Sequence, residues 1–238
     1  MEFAPPQQNM ATTARDVLLY VPNLIGYGRV VLTLVSFLLM IFHPNRWFLA
    51  LWLYITSFVG DLFDGLAARK FDQCSTYGGL LDMVTDRCAT AGLLFILAGE
   101  YDAALVGSTF VAGLYRLTFL MLILLDISSH WCQMYSTASL QQHHKSDGGN
   151  EGRFFLVRWY YHYYYFFGYC CVGAEFTYVA LYGLAHVTED DAFLKALGDG
   201  LLLFCAPACA VKQLVNVVQL ASACHAVASY DAKQRKDR

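Results

Sequence analysis

The chain has 238 residues, of which 57% are hydrophobic, 16% aromatic and 15% charged, and it carries a formal net charge of −3; its mean hydropathy is +0.41. Soluble domains carry about 25% charged residues, so this composition excludes an ordinary water-facing surface, and it excludes disorder. The acidic balance also argues against nucleic acid as a partner, and what remains is an all-α polytopic membrane protein.

In chain order, Met1 to Gln8, with Pro5 and Pro6, reads as a flexible arm. Thr12 and Thr13 can cap a short helix through Tyr20, which Pro22 should end. Its mixed apolar and charged residues suit an interfacial helix lying on the lipid bilayer. No charged n-region with a short apolar core precedes the first span, so a removed leader is not expected. Six transmembrane spans follow at about 24–43, 47–68, 79–98, 103–127, 160–186 and 197–222, with a long connection over 128–159. The organisation expected is an arm and interfacial helix over 1–23, a six-helix membrane domain over 24–226 and a basic tail over 227–238. The cysteines form no CxxC pair and sit mostly in apolar runs, so they read as small hydrophobes.

An even number of spans puts both termini on one side. Arg15, Arg69, Lys70, Lys145, Arg153, Arg158, Lys233, Arg235, Lys236 and Arg238 fall on that side, against Arg46 and Lys195 on the other. The positive-inside rule makes that side cytosolic. The terminal basic run reads either as a solvated topology signal or as a retrieval signal of the endoplasmic reticulum.

Spans two and three carry Asp61, Asp64, Asp82 and Asp86. At helical spacing each pair shares one face, and the short loop makes the two helices antiparallel neighbours, so four carboxylates can meet. A single Asp at mid-bilayer costs about 2.5 to 3.5 kcal/mol, so a group of four needs cations. Hard carboxylate oxygens suit Mg²⁺, Mn²⁺ or Ca²⁺, and two divalent ions would balance the charge. The competing reading pairs the aspartates with Arg69, Arg87 and Arg29 at a wet interface. Gly65 and Gly78 would admit a bulky ligand close to the helix or serve helix packing, and Arg69 could fork onto a phosphate or flank the membrane.

From Asp61 to Asp86 the residues spell DxxDGxxARx8Gx3Dx3D with every specified position filled. This pattern resembles the signature of the CDP-alcohol phosphotransferase family. VPNLIGYGR from Val21, LLDMVTDRC from Leu80, LDISSHW from Leu125, His144 with Lys145, and LVRWYY from Leu156 further resemble its eukaryotic inositol-accepting members. So does the segment from Ala206 through Lys212, whereas 147–151 and 160–165 fit the pattern poorly.

The resemblance implies a CDP-alcohol phosphotransferase fold, usually a homodimer, multi-pass in the endoplasmic reticulum, Golgi or another endomembrane. It implies that CDP-diacylglycerol and myo-inositol react to give phosphatidylinositol and CMP. By motif position Asp61, Asp64, Asp82 and Asp86 resemble ligands of Mg²⁺ or Mn²⁺, with Asp86 also the general base. Gly65, Arg69 and Ser75 match positions contacting the donor's cytidine diphosphate, with Ser75 replacing a common threonine. Asn23 and Arg29 face the same pocket or, for Arg29, pair with an aspartate. Inositol is a neutral polyol and needs hydrogen-bonding partners, which Asp126, Ser128, Ser129, His130, Lys145 and Arg158 offer. The alternatives are another acceptor (serine, glycerol phosphate or choline) and a cation or proton-coupled transporter.

Overall fold

The computed structural model describes residues 12–143, 164–188 and 190–236, and among them every regular element is helical. The expected arm at 1–8, Lys145, Arg158 and the segment 147–151 lie outside the described residues.

Helix α1 (Ala14–Leu18) opens on a reciprocal cap: the Asp16 amide donates to Thr13 Oγ1 at 3.3 Å, and the Thr13 amide donates to the Asp16 carboxylate at 2.8 Å. Helix α2 (Val21–Phe42) carries Pro22 in its first turn, where the missing N–H has no intrahelical partner to lose. Pro22 therefore opens a helix as well as following one, and α2 starts a turn earlier than 24. A 3-10 turn (Pro44–Arg46) leads to α3 (Trp47–Lys70), and α4 (Thr76–Glu100) follows after Phe71–Ser75.

The fourth span differs from expectation. Gly107, at φ 73°, caps a short α5 (Ala103–Val106) in the left-handed region, and α6 (Thr109–His143) then runs far into the stretch expected to be a connection from Ser128. Polar composition there signals a change of surroundings, while the backbone meets no proline and continues as helix. Helix α7 (Tyr164–His186) and helix α8 (Ala192–Lys236) complete the chain. The basic tail expected from 227 prolongs α8, which runs through Pro207 and meets no further proline, to Lys236.

The chain divides into two compact units, Met1–Cys88 and Ala89–Arg238. In the first, α2 packs on α3 with an inward stripe of Asn23, Gly26, Arg29, Thr33, Ser36 and Met40, while Leu24, Val31, Leu34, Leu38 and Ile41 point outward. In the second, α8 packs on α6 and α7. It buries Cys205, Ala208, Cys209, Lys212, Asn216, Gln219 and Ser222 and exposes Leu203, Phe204, Leu214 and Val217. Lys212 donates to Asn216 at 2.7 Å, and Thr90 donates to the buried Glu175 at 3.0 Å. Polar inside and apolar outside is the arrangement that lipid favours and water penalises.

Among the described residues, helices at Val21–Phe42, Pro44–Lys70, Thr109–Ser139 and Ala192–Arg235 are long and apolar enough to cross a membrane. Helices α4 and α7 have the length, but Asp82, Asp86, Arg87 and Glu100 in α4, and Glu175 among tyrosines and glycines in α7, lower their hydropathy.

Candidate active site

Helix α3 carries Asp61 and Asp64 in its last three turns, and α4 carries Asp82 and Asp86 near its N-terminal end. Their connection is held by specific bonds. Asp72 occupies the left-handed region at φ 52°, and the Gln73 amide donates to the Ala68 carbonyl at 2.9 Å, a helix-terminating motif. Ser75 starts α4 by accepting from the Gly78 amide at 3.0 Å. Gln73 Oε1 also accepts from the Val21 amide at 2.9 Å, so the turn between the acidic helices caps α2.

That docking brings Arg29 of α2 into the middle of the acids. Its Nη1 lies 3.0 Å from Asp61, 2.5 Å from Asp64 and 2.9 Å from Asp82, and its Nη2 lies 2.5 Å from Asp86. Arg29 is 3% exposed, whereas Asp61 and Asp82 are 41% and 45% exposed, so the carboxylates open outward over a buried guanidinium. Arg87 adds a longer contact to Asp86 at 3.7 Å. The pairing reading thus holds geometrically for Arg29 with all four aspartates.

One guanidinium cannot neutralise four carboxylates. Carboxylate oxygens of Asp61, Asp64 and Asp82 lie within 4.8 Å of one another, and an all-oxygen anionic donor set of this kind fits a hard divalent cation.

Beside the acids lies an open cleft of about 200 Å³, lined among others by Asn23, Gly26, Asp64, Gly65, Ala68, Gln73, Ser75, Gly78 and Asp82. The two signature glycines differ in role. A Cβ on Gly78 would sit 3.0 Å from Asn23 Oδ1 and 3.2 Å from Ser75 Oγ, so both side chains would have to give way to admit it. A Cβ on Gly65 would meet only the Arg69 guanidinium at an ordinary 3.6 Å, so what its absence provides is room in the cleft. Arg69 is exposed, with that guanidinium beside Gly65.

Asp126, Ser129 and His130 cluster on α6. His130 Nδ1 is 2.9 Å from the Asp126 carbonyl oxygen and 3.2 Å from Ser129 Oγ, and Ser129 Oγ donates to the same carbonyl at 3.1 Å. Sequence reasoning missed Ser57, Gly60 and Gln73, whose roles depend on which helix lies opposite. Only the position of Gly60 directly before Asp61 hinted at a close approach.

The sequence profile of the CDP-alcohol phosphatidyltransferase family matches residues 19–148. The chain belongs to this family. As a CDP-alcohol phosphatidyltransferase it is 35% identical to the CDP-diacylglycerol–inositol 3-phosphatidyltransferase of Schizosaccharomyces pombe, over 93% of this chain and 94% of the relative. It is 39% identical to a probable CDP-diacylglycerol–inositol 3-phosphatidyltransferase 2 of Arabidopsis thaliana, over 92% and 94%. The Homo sapiens CDP-diacylglycerol–inositol 3-phosphatidyltransferase is 34% identical, over 92% and 96%. No solved structure matches the chain. The acids, the cleft and Arg29 of this CDP-alcohol phosphatidyltransferase all lie within the matched segment.

Proposed function

We propose that the protein makes phosphatidylinositol and CMP from CDP-diacylglycerol and myo-inositol. The observation that carries this reading is the convergence of Asp61, Asp64, Asp82 and Asp86 beside an open cleft lined by Gly65, Ser75 and Gly78. Full-length similarity to inositol transferases supports the acceptor.

An inositol hydroxyl attacks the phosphorus bearing diacylglycerol. A new O–P bond forms, the bond from that phosphorus to the bridging diphosphate oxygen breaks, and CMP departs with the electron pair. Asp86 takes the hydroxyl proton as attack develops, since a free alcohol is too weak an acid to ionise beforehand. The four aspartates would hold two Mg²⁺ or Mn²⁺ ions, which when bound withdraw charge from the diphosphate. Gly65 leaves room for the donor, Arg69 forks onto a phosphate, and Asn23 and Ser75 line the cytidine diphosphate cleft. Asp126, Ser129 and His130, with Lys145 and Arg158, are the proposed inositol partners.

Six spans are the proposed topology, formed by α2, α3, α4, α5 with α6, α7 and α8. In this arrangement α1 lies on the bilayer surface, both termini are cytosolic, and the protein is a homodimer in the endoplasmic reticulum. Glu175, Tyr178 and Tyr182 of α7 are buried in protein, and the aspartates of α4 face the acidic site, whereas Tyr165 at the start of α7 is exposed.

The deciding experiment gives purified protein CDP-diacylglycerol with labelled inositol, serine or glycerol phosphate. Inositol-dependent, divalent-dependent CMP release is expected. Incorporation of serine in place of inositol would overturn the acceptor, and ion flux without CMP release would favour a transporter.

A further inference from the structure

The signature accounts for the four aspartates but not for the cation already among them. Arg29 reaches every one of the carboxylates at 2.5 to 3.0 Å, yet it is not among the residues lining the cleft. Its side chain is seated from behind. Nε donates to the Ser57 carbonyl at 3.3 Å, Ser57 Oγ donates to the Arg29 carbonyl at 2.9 Å, and Thr33 pairs with Ser57 at 2.8 Å. Gly60 clears the path of the aliphatic stem, since a Cβ there would lie 2.9 Å from Arg29 Cγ. A planar fork with several donors can serve carboxylates from two helices at once, which a point charge on a flexible stem cannot.

We propose that Arg29 is a resident counter-cation that holds the four aspartates together and competes with divalent ions for their oxygens, thereby setting the metal affinity of the site. The inference rests on the metal-site reading of the aspartates. Four carboxylates with one guanidinium retain a surplus of negative charge, enough to attract divalent ions. Without the guanidinium they repel one another more strongly, yet they draw a cation harder. Arg29 is on this account a positioning residue that touches neither donor nor acceptor.

The test uses the full-length protein in detergent, with two readouts independent of turnover. One is the thermal midpoint in chelator; the other is free Mn²⁺ followed by its electron paramagnetic resonance signal during titration. Arg29→Gln should lower the midpoint in chelator and tighten Mn²⁺ binding by about tenfold, so that added Mn²⁺ stabilises the variant more than the wild type. Arg29→Lys, which keeps the charge and folds more readily, should lose part of the chelator midpoint and keep Mn²⁺ binding near wild type. An unchanged midpoint in Arg29→Gln, or a lower midpoint with unchanged or weaker Mn²⁺ binding, would overturn the proposal. Failure of the wild type itself to bind Mn²⁺ would overturn the metal-site reading and the competition drawn from it, while the midpoints in chelator still decide whether Arg29 holds the acids together.

Discussion

Asp86 differs from its neighbours in what it touches: Arg29 Nη2 serves it alone, while Nη1 is shared by Asp61, Asp64 and Asp82. Its partial exposure leaves Asp86 within reach of a bound hydroxyl, as the proposed role of base requires. Asp86→Asn keeps the shape and removes the proposed base, so CMP release should fall by about 10²- to 10⁴-fold while the thermal midpoint in chelator stays close to wild type. Turnover at the normal rate would refute the role. Arg69 stands exposed with its guanidinium beside Gly65, so Arg69→Ala should raise the donor KM several-fold with a smaller effect on kcat; a donor KM that does not move would overturn the proposed diphosphate contact. The aspartates were legible in the sequence because helical spacing and a short loop suffice to bring them together. The exclusive seat of Arg29 was not, because Ser57 and Gly60 reveal their purpose only once α2 lies against α3.

Between elements, close approach depends on single small residues. Gly173 of α7 faces Ala208 of α8 so tightly that an added Cβ would fall 2.6 Å from the alanine Cβ, with the Cys205 carbonyl oxygen at 3.5 Å. Gly173→Val should therefore destabilise the protein by about 1 to 3 kcal/mol through overpacking, read as a lower thermal midpoint. Gly113→Ala, where an added Cβ meets nothing within 4 Å, is the control and should hold or slightly raise the midpoint. Equal effects from the two would mean that helix propensity, not α7–α8 packing, governs the response. Helix identity was readable at this scale, but some ends were not. Composition marks where α6 and α8 change from apolar to polar surroundings, and the backbone ignores that boundary where no proline or left-handed glycine follows it; even Pro207 within α8 does not end that helix. Gly107 does interrupt it, and nothing in the apolar pattern of the expected fourth span distinguished that glycine from Gly113.

Across the whole molecule, stripes of buried polar residues on α2 and α8 with leucine, valine and phenylalanine outside fix a lipid environment but not an orientation. Orientation rests on the basic residues. Arg69 and Lys70 end α3 before the Phe71–Ser75 turn, while Glu100 ends α4 with Asp102 in the turn that follows, and the turn after α7 holds Asp190 and Asp191. If six spans cross with the basic side in the cytosol, the turns after α4 and α7 share the luminal side and the turn between α3 and α4 opposes them. A flexible insert carrying an Asn-x-Thr acceptor should thus be glycosylated in microsomes when placed next to Asp102 or Asp191, and remain unmodified when placed between Phe71 and Ser75. The polar α4 and α7 are the weak points of a hydropathy argument, and the two luminal inserts test them separately. If α4 fails to cross, the insert at Asp102 loses its glycan. If α4 crosses but α7 does not, that glycan remains and the one at Asp191 is lost. Glycosylation of the Phe71–Ser75 insert would place the acids and their cleft in the lumen, away from the cytosol, and overturn the assigned orientation.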